Sequence, residues 1–292
     1  MSSEILAEAY IINGVEHSCP ISIGELIQGK IKINGNLVNF LVSVPVQSKR
    51  TAKIFMVDKH VRQDKYLKAY KAIHMLKKKF GIKDNLVVEI DSPSNIIPSK
   101  GFSTSSADIV ATCRAFFKLY ALPDRDDVIL NILKNIERSD PVLYYKPSIF
   151  LQSECILLGF INLPNLQFIV VDDGGFHDTS NSEIEYSENE IKNFDDMVKT
   201  LLSENELSIN KLYNFSLQSS QINQRVLNKS CLKELIEISE MFHVGVSVAH
   251  SGTVAFLYFP VNEESEQLTN SIQNELYKRG LNIYSYFHSI KV

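Results

Sequence analysis

The sequence predicts an α+β fold. Residues 10–46 alternate apolar and polar side chains with the two-residue period of strands, whereas residues 63–81 place apolar side chains at helical spacing. Strand-like and helix-like segments follow in mixed order, without the strict alternation of a βαβ protein. The 292 residues suffice for one large domain or two modest ones, and we place a division between residues 1–160 and 161–292.

In the first part, the dipeptide Asn34-Gly35 lies between two apolar runs and predicts a hairpin. The apolar face of residues 63–81 predicts a helix that stops at Gly81. A buried strand is expected over Leu86–Ser92. Residues 124–140 read as a helix that opens with acidic side chains, as the helix dipole favours.

In the second part, residues 147–175 predict further strands with a turn near Asn165. Two amphipathic helices are expected within residues 189–205 and 231–243. A polar loop precedes a strand within residues 245–259, and a helix over 264–280 is followed by a strand over 281–287. The segment 183–233 carries no motif that points to chemistry.

Composition limits the classes of function. The net charge is −4 and no basic tract occurs, so we expect no nucleic-acid partner. No apolar run is long enough for a transmembrane helix and the first residues do not read as a signal peptide, so we expect a cytoplasmic protein without a membrane partner. The cysteines lie far apart without a CxxC pair, which indicates isolated buried thiols rather than a zinc site.

One loop combines glycine with a run of hydroxyl side chains directly before an apolar helix, and it is a candidate for holding phosphate. A Walker A motif and the protein-kinase motifs HRD and DFG are absent from the chain. The alternative is that a Ser or Thr of this loop only caps the helix. The candidate nucleotide-binding residues are Pro98, Ser99, Lys100, Gly101, Phe102, Ser103, Thr104, Ser105, Ser106 and Ala107.

Two further segments pair glycine with polar side chains. Residues 19–29 contain Glu25 between Gly24 and Gly29, and residues 245–255 contain His250, Ser251 and Gly252. We consider Glu25, His250, Ser251 and Gly252 candidate substrate-binding residues. The alternatives are two turns around a strand with a solvated Glu25, and a hairpin loop with a solvated His250.

The sequence Glu137-Arg-Ser-Asp140 closes the helix predicted over 124–140. Because residues three apart share a helical face, we expect both carboxylates on one side of the last turn. Mg²⁺ takes few protein carboxylates and completes its shell with substrate phosphates, so Glu137 with a Ser hydroxyl is a reasonable pair of ligands. The alternative is that both acids are solvent-exposed.

The order of these segments resembles the GHMP kinases, named for galactokinase, homoserine kinase, mevalonate kinase and phosphomevalonate kinase. The three family motifs correspond to residues 19–29, 98–107 and 245–255. Within that family, CPISIGELIQG, ERSD, VVDDGGFHDT and AHSGTVA together resemble the L-threonine kinases of adenosylcobalamin synthesis. In two respects this chain departs from relatives: its loop reads Gly-Phe-Ser-Thr-Ser, and no Gly-rich turn with a base follows Glu137.

The resemblance implies an N-terminal part shaped like ribosomal protein S5 domain 2 and a ferredoxin-like C-terminal part. It implies ATP and Mg²⁺ as cofactors, with Ser105 and Glu137 as metal ligands, and Ser105, Glu137 and Asp140 as catalytic residues. The acceptor it implies is the small molecule L-threonine, with Asp140 near the hydroxyl. Asp172, Asp173 and Asp178 are candidate partners of the substrate ammonium. A homoserine kinase and a non-catalytic binding protein remain open as alternatives, and the oligomeric state is not readable from the sequence.

Overall fold

The computed structural model describes residues 9–174, 184–204 and 207–291. Within them the strands form three antiparallel sheets, which together with the helices confirms the predicted α+β class. The strands are β1 Ile11–Ser22, β2 Ile27–Ile33, β3 Asn36–Ser43, β4 Pro45–Val57, β5 Asn85–Asp91, β6 Ser148–Leu151, β7 Ile156–Phe160, β8 Leu166–Asp172, β9 Gly245–Val248, β10 Val254–Pro260 and β11 Ile283–His288. The helices are α1 Leu67–Phe80, α2 Thr104–Leu119, α3 Asp126–Ile136, α4 Glu188–Ser203, α5 Ile209–Asn223, α6 Leu232–Phe242 and α7 Ser265–Lys278.

The first sheet has the strand order β1-β4-β5, and helix α2 packs on β1 and β4. The side of α2 that faces the sheet is apolar, with the fully buried Ile109, Val110 and Phe116. One ion pair crosses this interface: Arg50 on β4 binds both oxygens of Asp108 on α2, at 2.7 and 2.8 Å. Packing and ion pair together fix the start of α2 relative to the sheet.

The second sheet has the order β2-β3-β6-β7 and lies under α4 and α5. Its first two strands form the predicted hairpin, in which Asn34 and Gly35 have φ values of 51° and 82°. Positive φ at both central residues is the signature of the two-residue turn that matches strand twist. On the face of this sheet, the ring of Phe194 from α4 lies where a Cβ at Gly29 would stand, 2.6 Å away.

The third sheet has the order β11-β8-β10-β9. Counted from β8, the strands run 4-1-3-2, with helices between the first and second strands and between the third and fourth. This is the ferredoxin-like arrangement that we expected for the C-terminal part. Helices α6 and α7 cover the sheet with their own apolar core, which includes Leu235, Ile238, Ile272 and Leu276.

Most predicted elements are confirmed within a few residues. Helix α1 ends at Phe80, and Gly81 follows with φ of 68°, the left-handed conformation that glycine adopts readily. Helix α5, in contrast, was not predicted. The boundary between residues 160 and 161 falls between β7 and β8, and the division into two domains stays a prediction.

The expectation for residues 137–140 is wrong. Helix α3 ends at Ile136, and Glu137 has extended backbone angles, φ −161° and ψ 169°. Asp140 precedes a proline, which disfavours helical geometry for the residue before it. The two carboxylates therefore do not share a helical face, and residues 137–140 lie in neither a helix nor a strand.

In the part of the chain that the structure describes, no helix is long and apolar enough to cross a membrane. All four cysteines are buried free thiols, as predicted.

Candidate active site

The three glycine-containing segments meet in space. The amide of Gly24 donates a hydrogen bond to the carbonyl of Gly101 at 2.6 Å, and the amide of Val254 donates to the carbonyl of Lys100 at 3.2 Å. A Cβ on Gly24 would stand 2.9 Å from the α-carbon of Ala249, and one on Gly252 would stand 2.2 Å from the carbonyl oxygen of Lys100. Segments far apart in sequence thus form one cluster of loops through close backbone contacts.

The hydroxyl run before α2 does not cap this helix. The residue at the N-cap, Ser103, has φ of 50° and its side chain makes no capping hydrogen bond. The capping alternative is therefore wrong. The first amides of a helix have no acceptor within the helix, and together with its dipole they favour an anion at this position.

Other residues of the 98–107 loop have structural partners. Lys100 is buried and its Nζ lies 2.8 Å from a carboxylate oxygen of Asp172. The ring of Phe102 stacks on Tyr284 with a centroid distance of 5.6 Å. Pro98 and Ser99 are exposed. Gly101 has φ of 103°, and a Cβ there would meet the Cβ of Ala249 at 2.3 Å, so the contact that requires glycine is with protein.

The carboxylate of Glu137 lies directly in front of α2. It accepts hydrogen bonds from the hydroxyls of Ser105 at 2.7 Å and Ser106 at 3.1 Å. It also forms an ion pair with Lys68 from the first turn of α1. Only 12% of the Glu137 side chain is exposed, so the alternative of a solvated helix end is wrong for this residue. The sequence offered no signal for Lys68, because its helix carries many lysines.

Asp140 lies beside the same cluster, and its amide donates to the hydroxyl of Ser106 at 3.1 Å. Its Oδ1 is shielded from solvent and has no hydrogen-bond partner. Burial and then the negative charge of Glu25 raise the pKa of Asp140 to about 8, while hydrogen bonds from Ser103 and Gln152 act in the opposite direction. A carboxyl group with a pKa near neutrality is suited to proton transfer.

Glu25 and His250 are both buried, which excludes the solvated alternatives for them. The amide of His250 donates to Glu25 Oε2 at 2.8 Å, and the ring Nδ1 lies 3.6 Å from the same oxygen. The ring Nε2 lies 3.1 Å from the hydroxyl of Ser219 on α5. Ser251 is exposed, and Gly252 packs on the backbone of the 98–107 loop at Lys100.

Lys229, which the sequence did not indicate as a site residue, is hydrogen-bonded to the loop between β9 and β10. Its Nζ donates to the carbonyl of Ala249 at 2.8 Å, and only 1% of the residue is exposed. Burial lowers the pKa of Lys229 to about 8, although the charge of Glu25 counteracts this. A single lysine in a segment without a motif gives no sequence signal of such a role.

The acids that follow β8 have partners from the chain itself. Asp172 binds Lys100 and accepts from the hydroxyl of Thr253 at 2.5 Å. Asp173 accepts from the backbone and hydroxyl of Ser230 and from the amide of Cys231. Partial burial raises the pKa of each acid, but these contacts outweigh it and hold both values below the usual range. Both acids are thus engaged by groups of the chain itself, and Asp178 lies outside the described residues.

The residues in front of α2 fit a magnesium ion that is shared with phosphate. Ser105 and Glu137 present a hydroxyl and a carboxylate oxygen 2.7 Å apart at the helix start. Among the described residues no group of three or more His, Cys, Asp or Glu side chains could hold a metal by itself. Mg²⁺ requires no such group, because it binds through one or two carboxylates plus substrate phosphates.

Comparison with known proteins identifies the fold. The family described as the GHMP kinases N terminal domain matches residues 67–142, from α1 to just past Asp140. A mevalonate kinase structure superposes with a TM-score of 0.70 at 15% identity, covering 95% of this chain and 100% of that one. A search of the curated proteins found no match.

Two further structures agree. The mevalonate kinase of Methanococcus jannaschii has a TM-score of 0.68 at 14% identity, covering 96% of this chain and 99% of its own. The homoserine kinase of Cytophaga hutchinsonii has a TM-score of 0.69 at 13% identity, covering 96% of each chain. The chain therefore has the fold of the GHMP kinase superfamily, and its residues 67–142 match the N-terminal domain of that family.

Proposed function

We propose that this protein transfers the γ-phosphoryl group of ATP to the side-chain hydroxyl of L-threonine and forms O-phospho-L-threonine for adenosylcobalamin synthesis. One observation carries the kinase part: the three loop segments converge on the start of α2, where Ser105, Glu137 and Asp140 lie together. Nothing in a merely capped helix requires a buried carboxylate cluster at this point.

In this proposal the phosphates of ATP lie at the start of α2, where the helix amides favour negative charge. Ser105 and Glu137 would hold Mg²⁺, which when bound neutralises charge on the phosphates. Lys68 is paired with Glu137 and would add a second positive charge, besides Mg²⁺, near the phosphates. In phosphoryl transfer, positioning and electrostatic stabilisation supply most of the rate acceleration, so these groups suffice without a covalent intermediate.

Asp140 would orient the acceptor hydroxyl and take its proton. Its unpartnered Oδ1 offers an acceptor, and its raised pKa keeps the carboxyl group close to the point where it both binds and releases protons near neutral pH. Since a threonine hydroxyl is a weak acid, we expect the proton to move late in the transfer.

The choice of L-threonine rests on the resemblance of four segments, residues 19–29, 137–140, 170–179 and 249–255, to the L-threonine kinases. The same fold is shared by proteins described as mevalonate and homoserine kinases. Homoserine is therefore the second candidate acceptor, and a non-catalytic nucleotide-binding protein is the third candidate. Retention of Ser105 and Glu137 in contact speaks against the non-catalytic alternative.

The test is a screen for ADP release across small hydroxy acids and hydroxy amino acids with ATP and Mg²⁺. We expect turnover with L-threonine and a preference over L-serine of roughly ten- to two-hundredfold in kcat/KM, because one methyl group in an apolar pocket is worth about 1–3 kcal/mol. A preference for homoserine would replace the acceptor and leave the kinase assignment. ATP binding without turnover of any compound would favour the binding protein.

A further inference from the structure

A small polar cavity of about 50 Å³ opens beside His250, between β2, α5 and the segment that follows α3. Its lining includes polar and charged side chains, namely those of Gln28, Lys30, Arg138, Asn223 and His250. One water molecule needs about 10–15 Å³ of such a cavity, so this cavity has room for a few groups of that size. This matches the amino and carboxylate groups of one amino acid.

Three buried acceptor atoms of this lining lack hydrogen bonds. They are Oε1 of Gln28, Oδ1 of Asn223 and Nδ1 of His250. Asn223 is only 1% exposed, and the His250 side chain is 2% exposed. A buried polar atom without a partner costs about 1–3 kcal/mol, and three around one cavity indicate that a ligand supplies the missing donors.

The tautomer of His250 follows from its neighbour. The hydroxyl of Ser219 donates its one proton to the backbone carbonyl of Gln28 at 2.9 Å. It accepts a hydrogen bond from the backbone N–H of Gln28 at 2.8 Å. The nearby Nε2 of His250, 3.1 Å away, must then donate to Ser219. In the neutral ring Nδ1 is consequently the unprotonated nitrogen, and it is an acceptor like the two amide oxygens. The carboxylate oxygen Oε2 of Glu25 lies 3.6 Å from it, so a group that binds here must carry a proton or a positive charge.

The same cavity carries positive charge. Lys30 lies on β2, with its Nζ 6.0 Å from the ring centroid of Tyr186, and Arg138 lies between Glu137 and Asp140 in the segment that follows α3. An arginine guanidinium matches the geometry of a carboxylate. The cavity thus combines acceptors for a positive group with donors for a negative group, and its Arg138 edge adjoins the catalytic candidates.

We propose that this cavity binds the head group of an α-amino acid, with the ammonium on Gln28, Asn223 and His250 and the carboxylate on Lys30 and Arg138. A primary ammonium has three N–H donors, which equals the number of unpartnered acceptors. The proposal rests on the function proposed above and adds the place where the ammonium and carboxylate of the acceptor bind.

Binding calorimetry on the nucleotide-free protein tests this proposal without reading activity. The probes are L-threonine, 3-hydroxybutyrate, which lacks the ammonium, and threoninol, which lacks the carboxylate. We expect L-threonine to bind at least tenfold more tightly than either. Asn223→Leu should weaken L-threonine about ten- to a hundredfold and leave 3-hydroxybutyrate unchanged, because only the ammonium contact is lost. Asn223→Asp, which keeps an acceptor oxygen, should retain L-threonine.

The exposed Asn274→Leu on α7 is the matched control and should change none of the three affinities. If Asn223→Leu does not fold, Arg138→Met serves instead, since Arg138 is exposed. It should weaken L-threonine and 3-hydroxybutyrate about tenfold and leave threoninol unchanged. Equal affinity of the wild type for all probes, no binding of L-threonine, or equal losses of affinity for all three probes in the variant would overturn the proposal.

Failure of the proposed function gives a different result. In that case L-threonine binds with the expected dependence on Asn223, but no O-phospho-L-threonine forms with ATP and Mg²⁺. Conversely, equal kcat/KM for L-threonine and 3-hydroxybutyrate would support a kinase and refute the head-group site.

Discussion

Replacing Asp140 with asparagine removes a buried carboxylate and keeps its shape. We expect this variant to be more stable than the wild type at pH 8 and nearly equal to it at pH 4. The reason is that Oδ1 of Asp140 is shielded without a partner, while Glu25 and Glu137 add negative charge nearby. Ionising the side chain in the folded protein is therefore unfavourable.

The magnitude follows from the pKa of about 8 in the folded protein against an ordinary value of 3.8. A carboxyl group whose pKa is raised on folding contributes its full stability below pH 3.8, and this is lost as pH rises towards 8. The loss reaches at most ~1.4 kcal/mol per pH unit for one proton. The carboxylate oxygen Oδ1 is buried, but solvent reaches other atoms of the residue. Screening by that solvent reduces the sum, and we expect a total of ~2 kcal/mol or more.

The assay is urea unfolding of both proteins at pH 5, 6, 7 and 8. It measures the difference in the free energy of unfolding, variant minus wild type, at each pH. The difference should grow with pH. Asp64→Asn, the same substitution at an exposed carboxylate beside Arg62, is the matched control. A constant difference for Asp140→Asn from pH 5 to 8 would refute the raised pKa and with it the case for Asp140 as proton acceptor.

Three further predictions concern the same site. Glu137→Gln should keep the fold, lower kcat by about a hundredfold or more and raise the Mg²⁺ concentration for half activity, as measured by ADP release over a Mg²⁺ titration; a normal rate at limiting Mg²⁺ would remove it from the site. Arg50→Leu should lower the free energy of unfolding by about 3–5 kcal/mol, because it leaves Asp108 buried without its partner; urea midpoints within error of wild type would contradict this. Gly101→Val should lower the melting temperature, since its Cβ would meet Ala249 at 2.3 Å at a φ of 103°; an unchanged melting temperature would show that the loops separate easily.

Local structure is predicted most reliably from the sequence where a residue type has a single structural role. Asn34-Gly35 specifies a two-residue hairpin because both positions take positive φ, and Gly81 ends α1 for the same reason. The three glycine-containing loops were predicted because glycine and hydroxyl residues before a helix or strand have few uses. Their contacts, such as Gly24 on Gly101, depend on the whole fold and could not be predicted from the sequence.

Helix α5 was missed because its buried face is polar. Ser216 and Ser220 on this face are fully buried, and their hydroxyls bind Tyr258 and Ser247 across to the third sheet. Because serine and asparagine are polar, this face lacks the apolar residues at helical spacing by which a helix is predicted from sequence. The same helix supplies Asn223, which explains why the cavity beside His250 was not predicted.

The segment 137–140 shows the opposite error. Glu137 and Asp140 were expected on one helical face, but the proximity of both to the start of α2 comes from contacts of Ser105 and Ser106 instead. Spacing predicted that the two residues lie near each other, but it did so through the wrong geometry. Hydrogen bonds between distant segments decided the actual arrangement.

The central claim is phosphoryl transfer to a side-chain hydroxyl, and phosphorus-31 NMR of the reaction mixture tests it most directly. With ATP, Mg²⁺ and L-threonine, we predict a new phosphomonoester resonance that coincides with added O-phospho-L-threonine and grows in step with ADP. Glu137→Gln at equal concentration should slow its appearance by about a hundredfold. Hydrolysis of ATP to inorganic phosphate with no phosphomonoester, at the same rate with and without L-threonine, would contradict the account.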